Sequence, residues 1–363
     1  MKKVGVVGLG IIGGSLVKAI HKKGAADWVV AYNRNPKATQ MALKEGTIQQ
    51  AANEIDDSFA GCELIFICVP VDKISQVVQK LADFVDEDCI LTDVGSTKSD
   101  VIRTMESIPL HCTFIGGHPM AGSEATGYKA ARANLFENAY YILTPVEGTE
   151  NRHVDKLSGF VQTLGALPIV LEPSRHDYAT AAISHVPHVL ASALVNVIRH
   201  LDGEDKIMHT LAAGGFKDIT RIASSSPEIW QSICRTNREN IVEILDRFVK
   251  GIDDFKTALC GEEEEPLRRF FFNAKQYRDS FLDNRIGAIV KTYDIVVDVE
   301  DKPGVIASIA SLLGEHQINI KNIGINNSRE MEGGAMEICF YDGDSQARSL
   351  EILKSAGYTV ILR

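Results

Sequence analysis

The N-terminus constrains the fold more than any other part of the chain, because a short apolar run leads into closely spaced glycines and then into a helical pattern. The run Lys2–Val7 predicts a buried strand, and the apolar spacing of Ser15–Ile20 predicts a helix. Between them, Gly8 would make a tight turn, Gly10 would let backbone N–H groups approach a pyrophosphate, and Gly13 would let the helix pack closely on its strand. This order of strand, glycine turn and helix predicts a Rossmann-like dinucleotide-binding domain.

The second predicted strand, Trp28–Tyr32, ends at a residue that bears on the choice of cofactor. At this position a site for NAD usually has an Asp or Glu that accepts hydrogen bonds from the ribose hydroxyls. This chain has Asn33, which can hydrogen-bond a ribose but lacks the charge that repels a 2′-phosphate, and the adjacent Arg34 would attract one. An ordinary solvated arginine is an equally good interpretation of Arg34. The prediction is NAD, with NADP left open.

Further apolar runs continue the alternation of strands and helices. Glu63–Val69, Cys89–Val94 and Phe114–Gly116 predict buried strands. Ligands bind at the carboxyl edge of open parallel sheets, so Pro70 and Ser96 should face the nicotinamide side of the crevice. For Ser96 the alternative is an N-cap of the following helix, since serine is a preferred cap. The residues predicted to contact the cofactor are Gly8, Gly10, Ile11, Ile12, Gly13, Asn33, Arg34, Val69 and Pro70.

One histidine is notable because glycines and a proline surround it in the segment Gly116–Gly122. The glycines allow positive φ and close ligand approach, Pro119 stiffens the backbone, and histidine exchanges protons near neutral pH. The pattern predicts a loop that presents His118 at the same edge of the sheet, for chemistry. A hydrogen-bonded structural histidine is the alternative interpretation.

Composition limits the classes of function. The 363 residues exceed one ordinary domain, and a hydrophobic fraction of 45% can fill more than one core. The net charge of −10 disfavours duplex nucleic acid and anionic membranes as main partners. The 7 cysteines are scattered and lack C-x-x-C spacing, so neither a disulfide framework nor a metal site is predicted. No signal peptide and no apolar run of membrane-spanning length is expected, which favours the cytoplasm.

Beyond about residue 172 the pattern changes to long helical periodicity. In Ser184–His188 two histidines flank Pro187 inside an apolar helical pattern, where a proline costs roughly 3 kcal/mol unless its kink is useful. A kink that aims His188 into an interdomain cleft would be useful, although a buried, hydrogen-bonded histidine is at least as good an interpretation. The predicted helices are Asp177–Leu201, Lys206–Leu211, Ile229–Cys260 and Pro266–Leu282.

A pair of basic residues follows in the same region. Lys217 and Arg221 are four residues apart and share one face if the segment is helical. Two cations opposite a catalytic histidine would suit a substrate with two carboxylates, and an arginine can bind one of them in bidentate fashion. The alternative is a surface ion pair with Asp218.

The last segment is predicted to be a small separate domain. Tyr293–Val299 alternates as a strand, and the turn Pro303–Val305 opens a helix that runs to Glu315. The remaining predicted elements are strands at Ile318–Asn326, Met336–Tyr341 and Tyr358–Leu362 and a helix at Ser345–Ala356. Their order is the ferredoxin-like βαββαβ.

Together these motifs resemble the prephenate dehydrogenase family of tyrosine biosynthesis, over residues 1 to about 290. The resemblance implies that His118 accepts a hydrogen bond from the 4-hydroxyl of prephenate while C4 gives hydride to the nicotinamide and the ring carboxylate leaves as CO2. It also implies that Ser96 hydrogen-bonds near that hydroxyl and that Arg221 binds a substrate carboxylate. The other residues that it assigns to the substrate site are His188, Lys217, Ser184, Ser123 and Glu124, with Glu124, Lys217 and Asp218 as a charged gate. The motifs that carry the resemblance are Gly8–Gly13, Asp93–Lys98, Gly116–Gly122, Ser184–His188 and Phe216–Arg221.

The C-terminal segment resembles an ACT domain, a module that binds small amino acids between paired copies. The resemblance implies feedback inhibition by L-tyrosine. A dimerisation lobe without a ligand is the alternative. The residues that would border the effector pocket are Pro303, Gly304, Val305, Asn319 and Asn322.

The predicted fold class is α/β, with three domains: a Rossmann-like NAD-binding domain at 1–171, an all-helical substrate and dimerisation domain at 172–290, and a regulatory ACT domain at 293–363. A homodimer through the helical domain is expected. Another dehydrogenase of the same architecture, acting on arogenate, on both cyclohexadienyl substrates or on a β-hydroxy acid, remains an alternative. An amino-acid sensor without catalysis is disfavoured by the presence of Ser96, His118 and Arg221.

Overall fold

The computed structural model describes residues 1–122, 125–283, 293–299, 302–326 and 334–362. The chain divides into two compact units, Met1–Glu263 and Glu264–Arg363. The larger unit contains a sheet followed by a helical region, and the C-terminal unit contains a long helix and a second, smaller sheet.

Within the described residues, a sheet of eight strands forms the first part of the larger unit. The strands are β1 (Lys3–Val7), β2 (Trp28–Tyr32), β3 (Gln50–Ala52), β4 (Leu64–Ile67), β5 (Ile90–Asp93), β6 (Thr113–Pro119), β7 (Tyr140–Pro145) and β8 (Leu167–Val170). Their order across the sheet is β3-β2-β1-β4-β5-β6-β7-β8. The pairs from β3 to β6 are parallel, β7 is antiparallel to β6, and β8 is parallel to β7. The predicted Rossmann-like sheet is therefore confirmed.

Helices cover both faces of this sheet, as crossover connections between parallel strands require. They are α1 (Ile11–Lys23), α2 (Pro36–Lys44), α3 (Ile74–Ala82), α4 (Ser99–Glu106) and α5 (Asn151–Thr163). Alternate residues of β4 enter opposite cores: Leu64 and Phe66 join the core that includes α1 and α5, and Ile65 and Ile67 join the core that includes α3 and α4. The continuous apolar run of β4 thus reflects a strand buried on both faces.

The helical region of the larger unit consists of six α-helices in the part of the chain that is described. They are α6 (Pro173–Thr180), α7 (Val186–Leu201), α8 (Ile207–Leu211), α9 (Gly214–Thr220), α10 (Pro227–Thr236) and α11 (Arg238–Cys260). A wide π-helical turn, Ala181–His185, joins α6 to α7. Pro187 follows this turn as the second residue of α7, so the interruption of α-helical hydrogen bonding lies next to the residue that lacks an N–H. The predicted helix Ile229–Cys260 is wrong in one respect, because Asn237 leaves helical geometry and divides it in two.

The continuous helix Pro173–Leu201 has 29 residues and is apolar enough to cross a membrane by length and composition, with a mean hydropathy of 1.5 over its most apolar window. The expectation that no apolar segment reaches that length is therefore wrong. The same helix carries His176 and Asp177, each 1% exposed and hydrogen-bonded to other parts of the larger unit. The N-terminal end of this helix is thus part of a protein core.

The C-terminal unit begins with α12 (Glu264–Asp283). Its further elements are β9 (Tyr293–Val299), α13 (Val305–Glu315), β10 (Ile320–Asn326), β11 (Gly334–Phe340), α14 (Gly343–Ser355) and β12 (Thr359–Leu362). The strands form an antiparallel sheet of order β10-β11-β9-β12. Ile295, Val297 and Ile338 from the sheet pack with Ile309 and Leu353 from the helices. The predicted βαββαβ order is confirmed.

Candidate active site

The glycine turn after β1 has the geometry that its spacing predicts. Gly8 has a φ of 97°, and a Cβ there would overlap the carbonyl oxygen of Cys68. A Cβ at Gly13 would overlap the carbonyl oxygen of Gly8, so α1 packs closely on the turn. A Cβ at Gly10 would meet nothing within 4 Å. The backbone at Gly10, at the N-terminus of α1, is thus open to a ligand, as a bound pyrophosphate requires.

Asn33, which follows β2, makes two hydrogen bonds to other residues of the protein. Its Oδ1 accepts a hydrogen bond from the backbone N–H of Leu9 at 2.8 Å, and its Nδ2 donates to the carbonyl of Asn35 at 2.9 Å. The side chain therefore fixes the glycine turn relative to β2, a role that the sequence did not indicate. Arg34 beside it is exposed. No acidic side chain occupies the position that usually binds the ribose hydroxyls.

A cavity of about 770 Å³ lies where the carboxyl ends of the parallel strands meet the helical region. It brings together parts of the sequence that lie more than two hundred residues apart, from the glycine turn to α10. The predicted site residues that line it are Gly10, Ile11, Ile12, Gly13, Val69, Pro70, Ser96, His118, Ser184, His188 and Arg221. Gly8, Asn33, Arg34 and Lys217 are not lining residues, and Ser123 and Glu124 lie outside the described part of the chain.

The strand β6 carries His118, so the prediction of a loop at this histidine is wrong. Gly116 and Gly117 lie inside the strand and do not have positive φ. Both glycines are required for close packing. A Cβ at Gly116 would overlap Thr144 on β7, and a Cβ at Gly117 would lie 2.5 Å from the carbonyl oxygen of Asp93. The glycines thus let β6 approach its neighbours closely, and this fixes the backbone that holds His118.

A buried ion pair lies at this edge of the sheet, between the end of β5 and the start of α4. Asp93 and Lys98 are both 0% exposed, and their side chains form a salt bridge. The Asp93 carboxylate also accepts hydrogen bonds from the backbone N–H of Gly95 at 2.7 Å and of Gly117 at 3.1 Å. Burial lowers the pKa of Lys98, while Asp93 opposes that shift. Asp93 thus links the segment before Ser96 to the strand that carries His118.

Ser96 lies at this edge and is not a helix cap. The following helix, α4, begins at Ser99 with Lys98 at the N-cap position and no side-chain cap. The N–H groups at this helix start donate instead to Asp177, from Lys98 and Ser99, at 2.8 Å each. The capping alternative for Ser96 is therefore wrong. Ser96 lines the same cavity as His118 but makes no direct hydrogen bond to it.

His118 is hydrogen-bonded to a second histidine that the sequence did not single out. Its Nδ1 lies 2.8 Å from Nε2 of His176, and Nδ1 of His176 lies 2.8 Å from Oδ1 of Asp177. Burial lowers the pKa of His118 well below its ordinary value, and the neighbouring His176, Lys98 and His185 act in the same direction. His118 is therefore neutral near pH 7, as a general base must be.

The helical wall of the cavity contains an aromatic stack. The rings of His188 and Trp230 stack with centroids 3.8 Å apart, and Nδ1 of His188 lies 2.9 Å from the carbonyl oxygen of Ser184. His185 is 1% exposed, and Asn237 donates a hydrogen bond to its Nδ1. Burial lowers the pKa of His185 to about 4. Both histidines around Pro187 line the cavity, but they differ in burial: His188 is half-buried, whereas His185 is buried and hydrogen-bonded within the core.

The predicted cation pair is divided by the end of a helix. Lys217 lies within α9, which ends at Thr220, and Arg221 begins a short 3₁₀ segment. Arg221 lines the cavity, whereas Lys217 is exposed elsewhere. Lys217 and Asp218 form no ion pair with each other in the described structure. A substrate contact from Lys217 stays a prediction.

The predicted effector residues lie towards opposite ends of the smaller sheet, because Pro303, Gly304 and Val305 follow the end of β9 at Val299, whereas Asn319 and Asn322 lie at the start of β10, which is level with the start of β9. Gly304 has a φ of 93° directly before α13, where Val305 begins. Asn322 lies beside a register shift in the pairing of β10 with β11, and its Oδ1 accepts a hydrogen bond from the N–H of Ile323. Pro303 and Asn319 precede α13 and β10, respectively. Their role in effector binding stays a prediction.

The fold and this cavity define a class of protein. A Rossmann-like sheet contributes an open glycine turn and a neutral histidine to one cavity, and the helical region contributes an arginine; this arrangement is that of a nucleotide-dependent oxidoreductase. Family models agree: residues 16–170 match the nucleotide-binding domain of prephenate dehydrogenase, residues 172–273 match its dimerization domain, and residues 293–350 match the ACT domain. The chain belongs to the prephenate dehydrogenase family.

Individual relatives are similar over most of their length. The prephenate dehydrogenase of Bacillus subtilis is 37% identical over 352 residues, which cover 96% of this chain and 95% of that protein. The prephenate dehydrogenase of Lactococcus lactis is 33% identical, over 99% of this chain and all of that protein. Among solved structures, prephenate dehydrogenase from A. aeolicus in complex with hydroxyphenyl propionate and NAD+ is 30% identical with a TM-score of 0.73, and covers 77% of this chain and 98% of that chain. Arogenate dehydrogenase from Synechocystis is 29% identical with a TM-score of 0.69, over 77% of this chain and 100% of that chain.

Proposed function

We propose that this oxidoreductase is an NAD-dependent prephenate dehydrogenase, which converts prephenate into 4-hydroxyphenylpyruvate and CO2. The observation that carries the proposal is the cavity in which the glycine turn, Ser96, His118 and Arg221 meet. The names of the Bacillus subtilis and Lactococcus lactis relatives support the substrate, since both match nearly the whole chain.

The residues at the sheet edge fit a general-base role. His118 is neutral, and because His176 engages its Nδ1, its Nε2 is the nitrogen available to the 4-hydroxyl of the substrate. An imidazole that accepts this hydrogen bond stabilises the positive charge that develops on the hydroxyl as C4 loses a hydride. The bound nicotinamide supplies the hydride acceptor. Loss of the ring carboxylate as CO2 leaves its bonding electrons in the ring, which becomes aromatic.

The helical wall fits substrate recognition. Arg221 would bind a carboxylate of the dianion, since a guanidinium pairs with carboxylates through two parallel hydrogen bonds. His188, which stacks on Trp230, and Ser184 would contact the ring of the substrate. We also retain Ser96 as a hydrogen-bond partner near the hydroxyl, and Lys217, Ser123 and Glu124 as further contacts.

The cofactor proposal is NAD. The backbone at Gly10 is open at the N-terminus of α1, and the A. aeolicus structure that this chain resembles contains NAD+. The choice between NAD and NADP can be tested at position 33, where the neutral Asn33 lies beside the exposed Arg34. Rates with NAD and NADP should be compared in the wild type and in Asn33→Asp. A carboxylate at this position should lower any NADP activity more than NAD activity, because it repels the 2′-phosphate.

The proposal is tested by following NADH formation with prephenate, and in parallel with arogenate, in the purified full chain. Turnover of prephenate that disappears in His118→Asn supports the proposal. Absence of turnover with both substrates in the presence of NAD would reject it. His153 provides the matched control, since it is a buried histidine of α5 hydrogen-bonded only to Thr113 among the described residues. His153→Asn should therefore stay active.

Arogenate is the second candidate substrate, and the similarity to Synechocystis arogenate dehydrogenase favours it. Arogenate carries an ammonium and a carboxylate in place of the side-chain keto acid. Prephenate and arogenate can be ranked by kcat/KM under identical conditions. A higher value for arogenate would reassign the preferred substrate while leaving the role of His118 unchanged.

We further propose a homodimer through the helical region. Leu194, Val197 and Leu201 recur on one face of α7 and are 37%, 51% and 62% exposed. Apolar side chains exposed in a row mark an association surface, and residues 172–273 match a family model named as a dimerization domain. Light scattering should give twice the chain mass of 39.7 kDa, and the double variant Val197→Glu and Leu201→Glu should lower it towards the monomer.

A further inference from the structure

A chain of hydrogen bonds extends from the cavity into the core behind His118. It runs from Nδ1 of His118 to His176 and from His176 to the carboxylate of Asp177, with both distances 2.8 Å. His118 is on β6 of the sheet, whereas His176 and Asp177 are on α6 of the helical region. His176 and Asp177 are each 1% exposed, so solvent does not compete for these bonds.

The carboxylate sets the direction of every hydrogen bond in this chain. Oδ1 of Asp177 also accepts from the N–H of Lys98, and Oδ2 accepts from the N–H of Ser99. Although burial by itself raises the pKa of Asp177, the hydrogen bonds from His176, Ser99 and Lys98 hold it below its ordinary value. Asp177 is therefore an acceptor only, and Nδ1 of His176 must carry the proton.

The tautomer of His118 follows from the same constraint. When the single proton of the His176 imidazole is on Nδ1, its Nε2 is an acceptor, and Nδ1 of His118 then donates to it. The lone pair of His118 is then on Nε2, the nitrogen that the chain of hydrogen bonds does not use. This is the tautomer that a general base in the cavity needs.

The surroundings of His118 otherwise oppose its protonation. The groups that face it with positive or potentially positive charge are Lys98, His176 and His185. Lys98 is paired with Asp93, and among the described residues Asp177, reached through His176, is the carboxylate that the hydrogen-bond chain connects to His118. The two histidine rings meet edge to face, with centroids 5.0 Å apart.

We propose that His176 and Asp177 are positioning residues for His118, which hold it in the Nδ1–H tautomer and stabilise positive charge on its imidazole as it accepts the proton of the substrate hydroxyl. The role is analogous to that of a carboxylate that orients a catalytic imidazole in hydrolases. It rests on the proposed function only for the identity of the substrate. The step needs no outside acid or base, because the proton that Nε2 of His118 takes from the substrate hydroxyl returns to the same oxygen when the ring becomes aromatic and the product is a phenol.

The first variant is Asp177→Asn. With its NH2 group towards Nδ1 of His176, the amide would make His176 a donor towards His118 and place the His118 proton on Nε2. With its oxygen at that position, which also accepts from Lys98, the amide would keep the tautomer but lose the negative charge. We expect kcat to fall roughly 100-fold to 10,000-fold with little change in KM for the substrate, because the base either presents a proton instead of a lone pair or loses the carboxylate that stabilises its charge. The second variant, His176→Gln, keeps an acceptor near Nδ1 of His118 but loses the link to the carboxylate. Its kcat should fall less than that of Asp177→Asn.

A structural role for Asp177 must be separated from this one, because its carboxylate also binds the start of α4. NMR of ¹⁵N-histidine-labelled wild-type protein separates them, since the ¹⁵N shifts distinguish the two neutral tautomers of His118. The expected result is Nδ1–H in the wild type, and the tautomer in Asp177→Asn shows whether its lower kcat comes from an exchanged tautomer or from the lost charge. His153→Gln, at a buried histidine remote from the cavity, is the matched control for His176→Gln and should keep wild-type kcat.

The outcomes are distinct. An Nε2–H tautomer of His118 in the wild type overturns the proposal even if the variants fail to fold. Folded variants with wild-type kcat overturn it as well. Failure of the wild type to oxidise prephenate or arogenate rejects the proposed function, while the NMR result still decides whether the hydrogen-bond chain sets the tautomer.

Discussion

The two walls of the cavity are built differently. On the sheet side, His118 lies in a strand, the adjoining loop is fixed by a buried carboxylate, and the supporting groups Asp93 and Lys98 are fully buried. On the helical side, Arg221 is exposed at the start of a short 3₁₀ segment, and His188 lies on the face of Trp230. The comparison suggests that the sheet fixes the reacting groups, whereas the helical wall presents groups that can adapt to the substrate.

The largest effect is expected on the sheet side, from His118→Asn. The substitution keeps a polar side chain but removes the basic nitrogen, and loss of a general base lowers rates roughly 100-fold to 10,000-fold. Steady-state kinetics should show a collapse of kcat, while fluorescence titration shows unchanged NAD binding. Near-native kcat would mean that the sheet wall does not hold the base.

Low pH should reduce the free energy of unfolding, because His185 is buried in the core of the helical wall. His185 has its pKa lowered to about 4 by burial, whereas in the unfolded chain it titrates near 6.5. Between these values the unfolded state binds more protons, so the free energy of unfolding rises with pH and is lost as pH falls from about 6.5 towards 4, by up to about 3 kcal/mol. Denaturant unfolding at several pH values measures this slope.

The variant His185→Gln isolates the contribution of that histidine. Glutamine can still accept the hydrogen bond from Asn237 but does not titrate. Its unfolding free energy should depend less on pH than that of the wild type over the same range. Equal slopes would assign the acid sensitivity to other groups, among them His118, whose pKa is also lowered by burial.

On the helical side, Arg221→Ala should act on binding. It removes a charge-assisted contact with a substrate carboxylate, worth roughly 1.5–3 kcal/mol, so KM for prephenate should rise by roughly 10-fold to 150-fold without a change in NAD affinity. Arg152→Ala is the control, because Arg152 pairs with Glu150 on the surface. If kcat fell instead and KM stayed constant, Arg221 would act on the reaction itself, and the helical wall would not be limited to substrate binding.

The smallest effect concerns the C-terminal unit, where we propose that L-tyrosine binds. Inhibition through a separate site has a coupling free energy of typically about 1–3 kcal/mol. Removal of residues 293–363 should leave activity but abolish inhibition by L-tyrosine, and D-tyrosine serves as the control for stereospecific binding. Inhibition that survives the truncation, together with no heat of tyrosine binding to the isolated segment, would show direct competition at the active site.

The parts of the fold that local sequence determines were predictable. The glycine turn and strands β1, β2, β4 and β5 are apolar runs next to turn residues, and the βαββαβ order of the C-terminal unit follows from alternation and spacing. The strands β3, β7 and β8 were not predicted. Each lies towards an end of the sheet, and β8 is largely exposed, so its sequence lacks a continuous buried pattern.

A site residue was predictable only where its immediate neighbours in the sequence formed a recognisable pattern. His118 could be found from the glycines around it, although these serve strand packing and not a loop. His176 and Asp177 could not, because their role depends on a contact across 58 residues of sequence. Before the fold is known, a His-Asp pair near the start of a helix has no feature that distinguishes it from a surface pair.

The wide turn Ala181–His185 also sets the rotational phase of the helix that passes behind the cavity. An α-helix advances about 100° per residue, whereas a π-helical turn, with its i→i+5 hydrogen bonds, takes about one residue more for the same rotation. His176, before the turn, and His188, after it, therefore have the relative directions that a regular α-helix one residue shorter would give them. Conversion of this turn to regular α-helix without loss of a residue would leave the composition of the site intact and rotate one of its walls by about 100° relative to the other.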